Sequence, residues 1–408
     1  MRHTCTSLAI VLLLTCTAQP AGLPVLDLGG ATAIDRMFQA AVDKGEIPGV
    51  VAAVTNKDRI LYLKAFGKQD VARGIPMSRD TMFRIASMTK PVTSLGIMML
   101  YEQGKLRLDD PAGNYLPAYS GREVLATFNE NDATYTTRPA NGEMTIRHLL
   151  THMSGLSYPF TSPTILAIQT KTGKDPKELP LLFDPGTKWH YSPATAVLGE
   201  IVEKLSGQSL EEWDQARIFG PLGMVDTTYT PAPENTARLA TIHQQEETGL
   251  VENPNPPKYT PDVRGDGGLV STASDYSAFV RMLLNEGRSH GEQLVKPDTV
   301  RLMTSNQIGS VVVDTMPAAL PRRSAPFPFG AGKDKFGLGF QIAVADGSAT
   351  HERGAGSYSW GGIDNTHFWV DPKNQIGVVI LLQVLPFYNG TSMDVVKRFE
   401  RLIYEHLN

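Results

Sequence analysis

The sequence predicts an α/β fold of the α+β type, in which one sheet domain is interrupted by a mainly helical region. Strand patterns occupy both ends of the chain, at 24–85 and 300–408, and helix patterns fill 86–299. With 408 residues, 41% of them hydrophobic, the chain is long enough for a large buried core and for two lobes. We therefore expect a discontinuous sheet domain with a helical region beside it.

The sheet is predicted to begin with a hairpin. Residues 49–70 contain two apolar, β-branched runs separated by the polar turn Asn56-Lys57-Asp58. Further along, apolar residues between Ser87 and Gly104 follow helical spacing, and Gly104 supplies a stop. This pattern predicts that Ser87 lies at the N-terminus of a helix.

The middle of the chain is rich in helix signals, and the C-terminal part returns to strands. Caps or glycines bound four helical stretches, at 145–153, 195–207, 209–219 and 272–287. Strand patterns then follow at 336–344, 365–371 and 376–384, before a last helix at 392–407. The segment 316–335, which holds four prolines, is predicted to be a plain surface loop, with a lid over a cleft as the alternative.

The charge balance argues against a nucleic-acid partner. The chain carries 38 basic and 42 acidic residues, a formal charge of −4, so it has no excess of basic residues to attract phosphate backbones.

The N-terminal segment 1–18 is predicted to be an export signal. Arg2 and His3 precede a short apolar run, Leu8 to Leu14, and small residues suited to a signal peptidase follow, with cleavage expected after Ala18. No later stretch approaches the ~20 apolar residues that a bilayer span needs. We therefore expect a soluble, exported protein, periplasmic or secreted, without an integral membrane span.

Both cysteines, Cys5 and Cys16, lie inside this segment. The mature chain would then have no thiol, which excludes a cysteine nucleophile and a thiolate metal site. The stretch Leu13 to Cys16 resembles a lipobox, in which Cys16 would carry a lipid anchor, but Thr15 is a poor fit before that cysteine. Simple secretion is the preferred interpretation.

The first motif with a chemical interpretation is Ser87-x-x-Lys90. Residues three apart on a helix share a face, so the serine hydroxyl and the lysine amine can meet, and a desolvated lysine with a depressed pKa can accept a proton. Taken alone, the motif is better explained by a capping serine followed by a surface lysine, because chance matches to S-x-x-K are common.

Two further motifs favour the catalytic interpretation of Ser87 and Lys90 over the structural one. Tyr191 stands in a loop before a helix, where a phenol near an ammonium would have a lowered pKa; the alternative is an aromatic in the core beside Trp189. Gly361 and Gly362 open a strand where the backbone approaches something closely, and N–H groups at a strand edge can hold an oxyanion; the alternative is a bulge.

Together, Ser87-Met88-Thr89-Lys90, Tyr191-Ser192-Pro193 and Trp360-Gly361-Gly362 resemble the three motifs of the serine β-lactamase and penicillin-binding-protein superfamily. The likeness continues through 148–156, 265–287 and 368–372, so that about 30–405 would form one β-lactamase-like unit. It implies a β-lactamase/DD-peptidase-like fold, with an antiparallel sheet flanked by helices and an active site where the sheet meets the helical region.

Within that superfamily the third motif is most similar to the family VIII carboxylesterases. β-Lactamases and DD-peptidases generally carry lysine or histidine where this chain has Trp360, and an asparagine where it has Pro193. The resemblance therefore implies a serine hydrolase that cleaves short-chain or aromatic esters through an acyl-enzyme on Ser87. The rivals are a β-lactamase or D-amino-acid-specific peptidase, and a non-catalytic protein that binds cell-wall fragments.

The resemblance also implies roles for individual residues. Tyr191 would take the proton of Ser87 while Lys90 lowers its pKa, although the sequence leaves the division between the two open. The backbone N–H groups of Ser87 and Ile363 would hold the oxyanion. Substrate-binding residues would be Trp360, Gly361, Gly362 and Tyr158, whereas Phe160 is expected in the core.

Three other patterns are predicted to be structural. Gly287 to Gly291 satisfies G-x-S-x-G, but it follows an amphipathic helix rather than a strand, so a polar loop is expected. His148 and His152 lack the glutamate of a zinc-protease motif, so we expect no metal and no cofactor, and a hydrogen-bonded structural role for His152. Asp109 and Asp110 are expected to cap a helix start.

Overall fold

The computed structural model describes residues 22–252, 261–345 and 352–408. The predicted export signal, with both cysteines, lies outside the described residues. Within the described ranges, the helices are all too short or too polar to cross a bilayer.

Within the described residues, eight strands form one sheet in which every neighbouring pair is antiparallel. They are β1 (Gly49–Asn56), β2 (Ile60–Asp70), β3 (Ile75–Pro76), β4 (Lys335–Phe336), β5 (Gln341–Ile342), β6 (Tyr358–Gly362), β7 (Thr366–Asp371) and β8 (Ile376–Leu381). Their spatial order is β4-β5-β6-β7-β8-β1-β2-β3. The C-terminal strands thus pair with the predicted N-terminal hairpin, and the polar turn at Asn56 joins β1 to β2 as the sequence indicates.

The sheet is buried on both faces, which explains why its central strands are apolar throughout. Side chains of successive strand residues point to opposite faces. In β1, Val50, Ala52 and Val54 pack into one core cluster, and Val51 and Ala53 pack into the other.

Helices cover both faces. They are α1 (Leu28–Asp43), α2 (Thr89–Glu102), α3 (Ile146–Leu150), α4 (Pro163–Thr172), α5 (Ala194–Ser206), α6 (Leu210–Asp214), α7 (Gly220–Leu222), α8 (Ala273–Leu284), α9 (Pro297–Met303) and α10 (Gly390–Glu405). The two terminal helices lie together on one face, where the Phe38 and Phe399 rings are 5.0 Å apart. On the other face α2 is buried over most of its length, and α8 packs there through Tyr276 and Phe279.

Short strands occur outside the predicted elements. Glu123–Phe128 pairs with Tyr135–Pro139 as a hairpin on the helical side, and Phe83–Arg84 pairs with Val270–Ser271 next to the start of α2. Another small sheet joins Val384–Leu385, His243–Glu246 and Gly249–Glu252. These strands are too short, or too exposed on both sides, to give a clear alternating pattern.

The proline-rich segment 316–335 is not the plain surface loop that its composition predicts. Met316 and Phe327 are 1% and 2% exposed, and the Phe327 ring lies 5.6 Å from that of Tyr191. The Met316 sulfur also accepts a hydrogen bond from the Tyr191 backbone N–H, at 3.4 Å. Because its apolar residues reach the core, the segment forms a wall beside Tyr191.

Candidate active site

Ser87 lies on a tight turn that leads directly into a buried helix. The turn, Ala86–Met88, is a single 3₁₀ turn, and α2 continues from it at Thr89. Ala86 has a φ of +44°, a left-handed conformation that costs energy for a residue with a side chain. The Met88 carbonyl accepts a 2.9 Å hydrogen bond from Tyr276 Oη, which fixes the turn against α8. The serine is therefore presented by a constrained backbone.

Lys90 follows one turn later and points at the serine. Its Nζ lies 3.1 Å from Ser87 Oγ, and the residue is 1% exposed. The i, i+3 spacing in the sequence thus does bring the two groups together. Burial lowers the pKa of Lys90 to about 7, and Arg264 adds to that effect, while the nearby Asp266 carboxylate opposes it.

Tyr191 approaches Ser87 from the loop before α5. Its hydroxyl lies 2.5 Å from Ser87 Oγ, and its ring lies 4.9 Å from Lys90 Nζ. The residue is 3% exposed, and this burial raises the pKa of the phenol, although its contacts with Ser87 and Trp360 oppose the shift. The phenol is therefore held in its neutral form at ordinary pH.

The third motif packs against the backbone that precedes the serine. A Cβ on Gly362 would lie 2.2 Å from the carbonyl oxygen of Ile85, so only glycine fits at this end of β6. Ile363 opens the turn after β6 and borders the same cleft as Ser87. Among the described residues, no group accepts a hydrogen bond from the backbone N–H of Ser87 or of Ile363. Two residues that border the cleft thus carry backbone N–H groups without an acceptor among the described residues.

The aromatic residues are arranged differently from the sequence-based expectation. Trp360 is 6% exposed and stands behind Tyr191, at a ring distance of 5.0 Å, rather than lining the cleft beside Ser87. Phe160, expected in the core, lines the cleft together with Tyr158, and their rings are stacked 5.1 Å apart. Gly361 is held against β7, where a Cβ would lie 2.7 Å from His367 Nδ1.

The loop 262–268 supplies polar groups to the site that no motif singled out. The Asp266 carbonyl accepts a 2.6 Å hydrogen bond from Lys90 Nζ, and its carboxylate accepts one from Tyr158 Oη. Arg264 Nη1 lies 3.8 Å from Asp266 Oδ1. The run Arg264-Gly265-Asp266-Gly267-Gly268 was the available signal, because glycines this dense indicate backbone packed closely on its neighbours.

The cleft is also bordered by a charged group that sequence reasoning missed. Asp364 follows Ile363 and is buried, and burial raises the pKa of its carboxyl to about 6, while Arg84 and Arg323 oppose that shift. All three residues line the cleft. The lining thus combines charged groups with the aromatic rings of Tyr158 and Phe160.

The histidine pair and the G-x-S-x-G match, both predicted to be structural, lie outside the cleft. His152 is buried, its Nδ1 lies 3.1 Å from Ser192 Oγ, and burial keeps its pKa well below the usual value. His148 Nδ1 instead accepts the Thr145 backbone N–H, at 3.3 Å. Ser289, of the G-x-S-x-G match, lies in a short hairpin after α8, not on a strand-to-helix turn.

The two neighbouring aspartates do not cap a helix start as expected. Asp109 forms an ion pair with Arg147, at 2.7 Å, and Asp110 accepts hydrogen bonds from Tyr115 Oη and from the Arg107 backbone N–H. They act as separate surface contacts.

Comparison with known proteins is consistent with this arrangement. The chain is 30% identical over 398 residues to lovastatin esterase of Penicillium rubens, covering 91% of this chain and 98% of the relative. It is 28% identical over 397 residues to monacolin J acid methylbutanoyltransferase of Aspergillus terreus, covering 91% and 95%. A solved structure of a mutant simvastatin synthase from Aspergillus terreus superposes with a TM-score of 0.80 at 28% identity, covering 93% and 95%.

The family model described as Beta-lactamase matches residues 34–395, nearly all of the described chain. The resemblance and the fold class that the sequence predicts are thereby confirmed. The chain belongs to the beta-lactamase family, a family of serine hydrolases built on this fold.

Proposed function

We propose that the protein cleaves carboxylic esters with short-chain or aromatic acyl groups, through an acyl-enzyme on Ser87. One observation carries the proposal: Ser87 Oγ lies 3.1 Å from a buried amine and 2.5 Å from a buried phenol, at the edge of an open cleft. A weak hydroxyl nucleophile needs an adjacent base, and both candidate bases are within hydrogen-bond reach.

Lys90 is the group that takes the serine proton in this proposal. A pKa of about 7 leaves about half of the amine neutral at pH 7, whereas the pKa of Tyr191 is raised. Trp360 adds no positive charge that would favour a phenolate. The resemblance implied the opposite division of roles, so the assignment rests on the burial of the two groups.

Tyr191 then acts as the acid. In acylation, Ser87 Oγ bonds to the ester carbonyl carbon and its proton passes to Lys90 Nζ. As the ester C–O bond breaks, the phenol gives its proton to the leaving alkoxide and is reprotonated from the lysine ammonium. In deacylation a water attacks the acyl carbon, Lys90 receives the water proton, and Ser87 Oγ leaves with a proton from Tyr191. The phenol is again reprotonated from the lysine ammonium, so both groups return to their starting forms.

The negative charge on the carbonyl oxygen would be held by two backbone N–H groups, those of Ser87 and Ile363. Both border the cleft without an acceptor among the described residues, and donors fixed in advance stabilise the oxyanion without reorganisation. Gly362 has no Cβ to strike the Ile85 carbonyl oxygen, which lets the end of β6, just before Ile363, lie close to the backbone before Ser87.

The lining of the cleft supports an uncharged acyl group. Beside the charged groups Arg84, Arg323 and Asp364, the cleft is lined by apolar side chains that suit an alkyl or aromatic acyl chain, those of Tyr158, Phe160, Ile242 and Leu385. The name of the lovastatin esterase relative is consistent with ester hydrolysis. Transfer of the acyl group to an alcohol instead of water is the second candidate, because another relative is named a methylbutanoyltransferase.

The test is hydrolysis of p-nitrophenyl butyrate by purified protein, with Ser87→Ala as the matched variant. We expect turnover that the variant lacks, and labelling of Ser87 by a fluorophosphonate probe. Formation of ethyl butyrate when ethanol is added would support acyl transfer. Turnover of nitrocefin without ester hydrolysis would replace the proposal with a β-lactamase, and an unlabelled Ser87 would favour a binding protein.

A further inference from the structure

Three oxygen atoms surround the Lys90 amine. Nζ lies 3.1 Å from Ser87 Oγ, 3.1 Å from Tyr158 Oη and 2.6 Å from the carbonyl oxygen of Asp266. An amine nitrogen bonded to one carbon has three remaining tetrahedral positions. Each position therefore faces one oxygen, and the chemistry of the oxygens decides what each position holds.

Two of these oxygens accept hydrogen bonds from the amine. The Asp266 carbonyl has no hydrogen to donate. Tyr158 has one, and its hydroxyl is within hydrogen-bond reach of the carboxylate Oδ2 of the same Asp266, which can only accept. With its hydrogen on Asp266, Tyr158 Oη offers a lone pair to Lys90. The amine must then place N–H groups on Tyr158 and on the Asp266 carbonyl.

We propose that Tyr158 and Asp266 are positioning residues for Lys90: by taking its two N–H groups, they aim the lone pair of the neutral amine at Ser87 Oγ. This inference rests on the proposed function, and it deepens it by naming what prepares the base. Tyr158, which the sequence placed among substrate-binding residues, would line the cleft with its ring while its hydroxyl serves the lysine.

Asp266 is held rigidly enough for this role. Its side chain is 3% exposed, and Arg264 Nη1 lies 3.8 Å from its Oδ1, which has no hydrogen-bond partner among the described residues. The preceding Gly265 carbonyl accepts a 2.8 Å hydrogen bond from Thr93 Oγ1, one turn beyond Lys90 on α2. The loop is thus fastened to the same helix face that carries the lysine.

The electrostatic surroundings of Lys90 come from four other segments of the chain. The titratable and charged groups that face it are His152, Tyr158, Tyr191, Arg264 and Asp266. Of these, Asp266 is the one that raises the pKa of the lysine, and Arg264 lowers it. Removing the Asp266 charge should therefore move the pKa of Lys90 further below about 7.

The first variant is Tyr158→Phe, which keeps the ring stacked on Phe160 and deletes only the hydroxyl. We expect kcat for p-nitrophenyl butyrate to fall about 10- to 100-fold, the value of a hydrogen bond to a basic or charged group, with KM changed less than about twofold. Tyr115→Phe is the control, because it removes a hydrogen bond of the same type, to Asp110, outside the cleft. It should leave kcat unchanged.

The second variant is Asp266→Asn, paired with Asp298→Asn. Asp298 is exposed and bonds Arg301 on α9, and neither residue lines the cleft, so its variant removes an equal charge away from the site. We expect Asp266→Asn to lower the plateau of kcat/KM and to move its acidic limb to lower pH. The Asp298 variant should move neither.

A direct titration separates failure of this inference from failure of the proposed function. In protein labelled with ¹³Cε-lysine, the signal of Lys90 is assigned by its loss in Lys90→Met. This signal should titrate at lower pH in Asp266→Asn than in the wild type, and the measurement needs no substrate. Wild-type kcat in Tyr158→Phe, or an unmoved Lys90 titration in Asp266→Asn, would overturn the positioning role. If wild-type protein does not hydrolyse esters, the proposed function fails, and the titration still tests the contact.

Discussion

Replacing the buried Lys90 is the most direct test of which group, Lys90 or Tyr191, acts as the base. An unperturbed lysine, with a pKa of 10.5, would be neutral in roughly one molecule in 3,000 at pH 7, whereas a pKa of about 7 leaves about half neutral. The shift corresponds to about 5 kcal/mol of disfavoured ammonium, supplied mainly by burial. If Lys90 is the base, kcat/KM should rise with pH, reach half its plateau near pH 7 and then stay level.

The assay is hydrolysis of p-nitrophenyl butyrate from pH 5 to 10, followed at the isosbestic wavelength of p-nitrophenol, with the rate of Ser87→Ala subtracted at each pH. Lys90→Arg is the informative variant, because a guanidinium stays charged across this range and cannot accept the serine proton. We expect it to lose about 10²–10⁴-fold in kcat and to lack the limb near pH 7.

A limb centred above pH 9 in the wild type would refute this reasoning. It would mean that the phenol of Tyr191, whose pKa burial raises, must ionise before the serine reacts. Retention of the limb near pH 7 in Lys90→Arg would refute it as well, since another group would then be titrating.

Three further changes and one processing event give independent tests. Tyr191→Phe should lower kcat about 10²-fold or more with little change in KM, because it removes the proposed proton donor 2.5 Å from the serine oxygen. Gly362→Ala should lower kcat, and the free energy of unfolding by about 1–3 kcal/mol, because its Cβ would meet a backbone carbonyl at 2.2 Å. Asp214→Asn should stabilise the protein relative to wild type, by on the order of 4 kcal/mol at pH 7, because burial raises the pKa of Asp214 to about 8. We propose export with cleavage after Ala18, to be read from the N-terminal peptide of secreted protein by mass spectrometry.

The buried carboxyl of Asp214 determines how the effect of Asp214→Asn depends on pH. A raised carboxyl pKa contributes stability that is complete below about pH 4 and lost as the pH rises through about 8, so the Asp214→Asn advantage must grow over that window. The exposed Asp298→Asn should show no such growth, and Gly390→Ala, whose Cβ meets nothing within 4 Å, should unfold like the wild type. Unchanged kcat in Tyr191→Phe, or a lipid on Cys16, would contradict the corresponding prediction.

Local patterns were sufficient for the hairpin of the main sheet and for the helices α2, α5, α8 and α10, whereas α1, α4 and α9 were not predicted. The hairpin at Asn56 and the stop of α5 at Gly207, which has a φ of +72°, each depend on neighbouring residues alone. The short hairpin at 123–139 was missed because burial along Glu123–Phe128 does not alternate with a period of two: Val124 is buried, Leu125 is half-buried, and two exposed residues follow. Segment 316–335 was misjudged because proline content says nothing about where Met316 and Phe327 find a core.

Those parts of the site that are built from residues close in sequence were predictable, and the contacts between distant segments were not. Ser87 and Lys90 meet through helix geometry, which spacing encodes. The contact between Lys90 and Asp266 joins residues 176 positions apart, and neither local spacing nor composition indicates it. Sequence analysis also placed Trp360 in the cleft and Phe160 in the core, and the structure shows the reverse. An aromatic residue packs equally well in a core or on a cleft wall, so its type alone does not decide between the two.

The wide separation of the catalytic groups along the chain has a consequence for folding. Tyr191 reaches Ser87 across 104 residues, and Thr366, beside the third motif, bonds the Ile85 carbonyl across 281. Until the last strands pair, a helix bearing the serine and the lysine would lack the proposed second oxyanion donor at Ile363. Contacts of such long range form slowly, because loop closure must precede them. If the protein is the esterase proposed, recovery of activity during refolding would therefore report the docking of the C-terminal strands and not the appearance of helix.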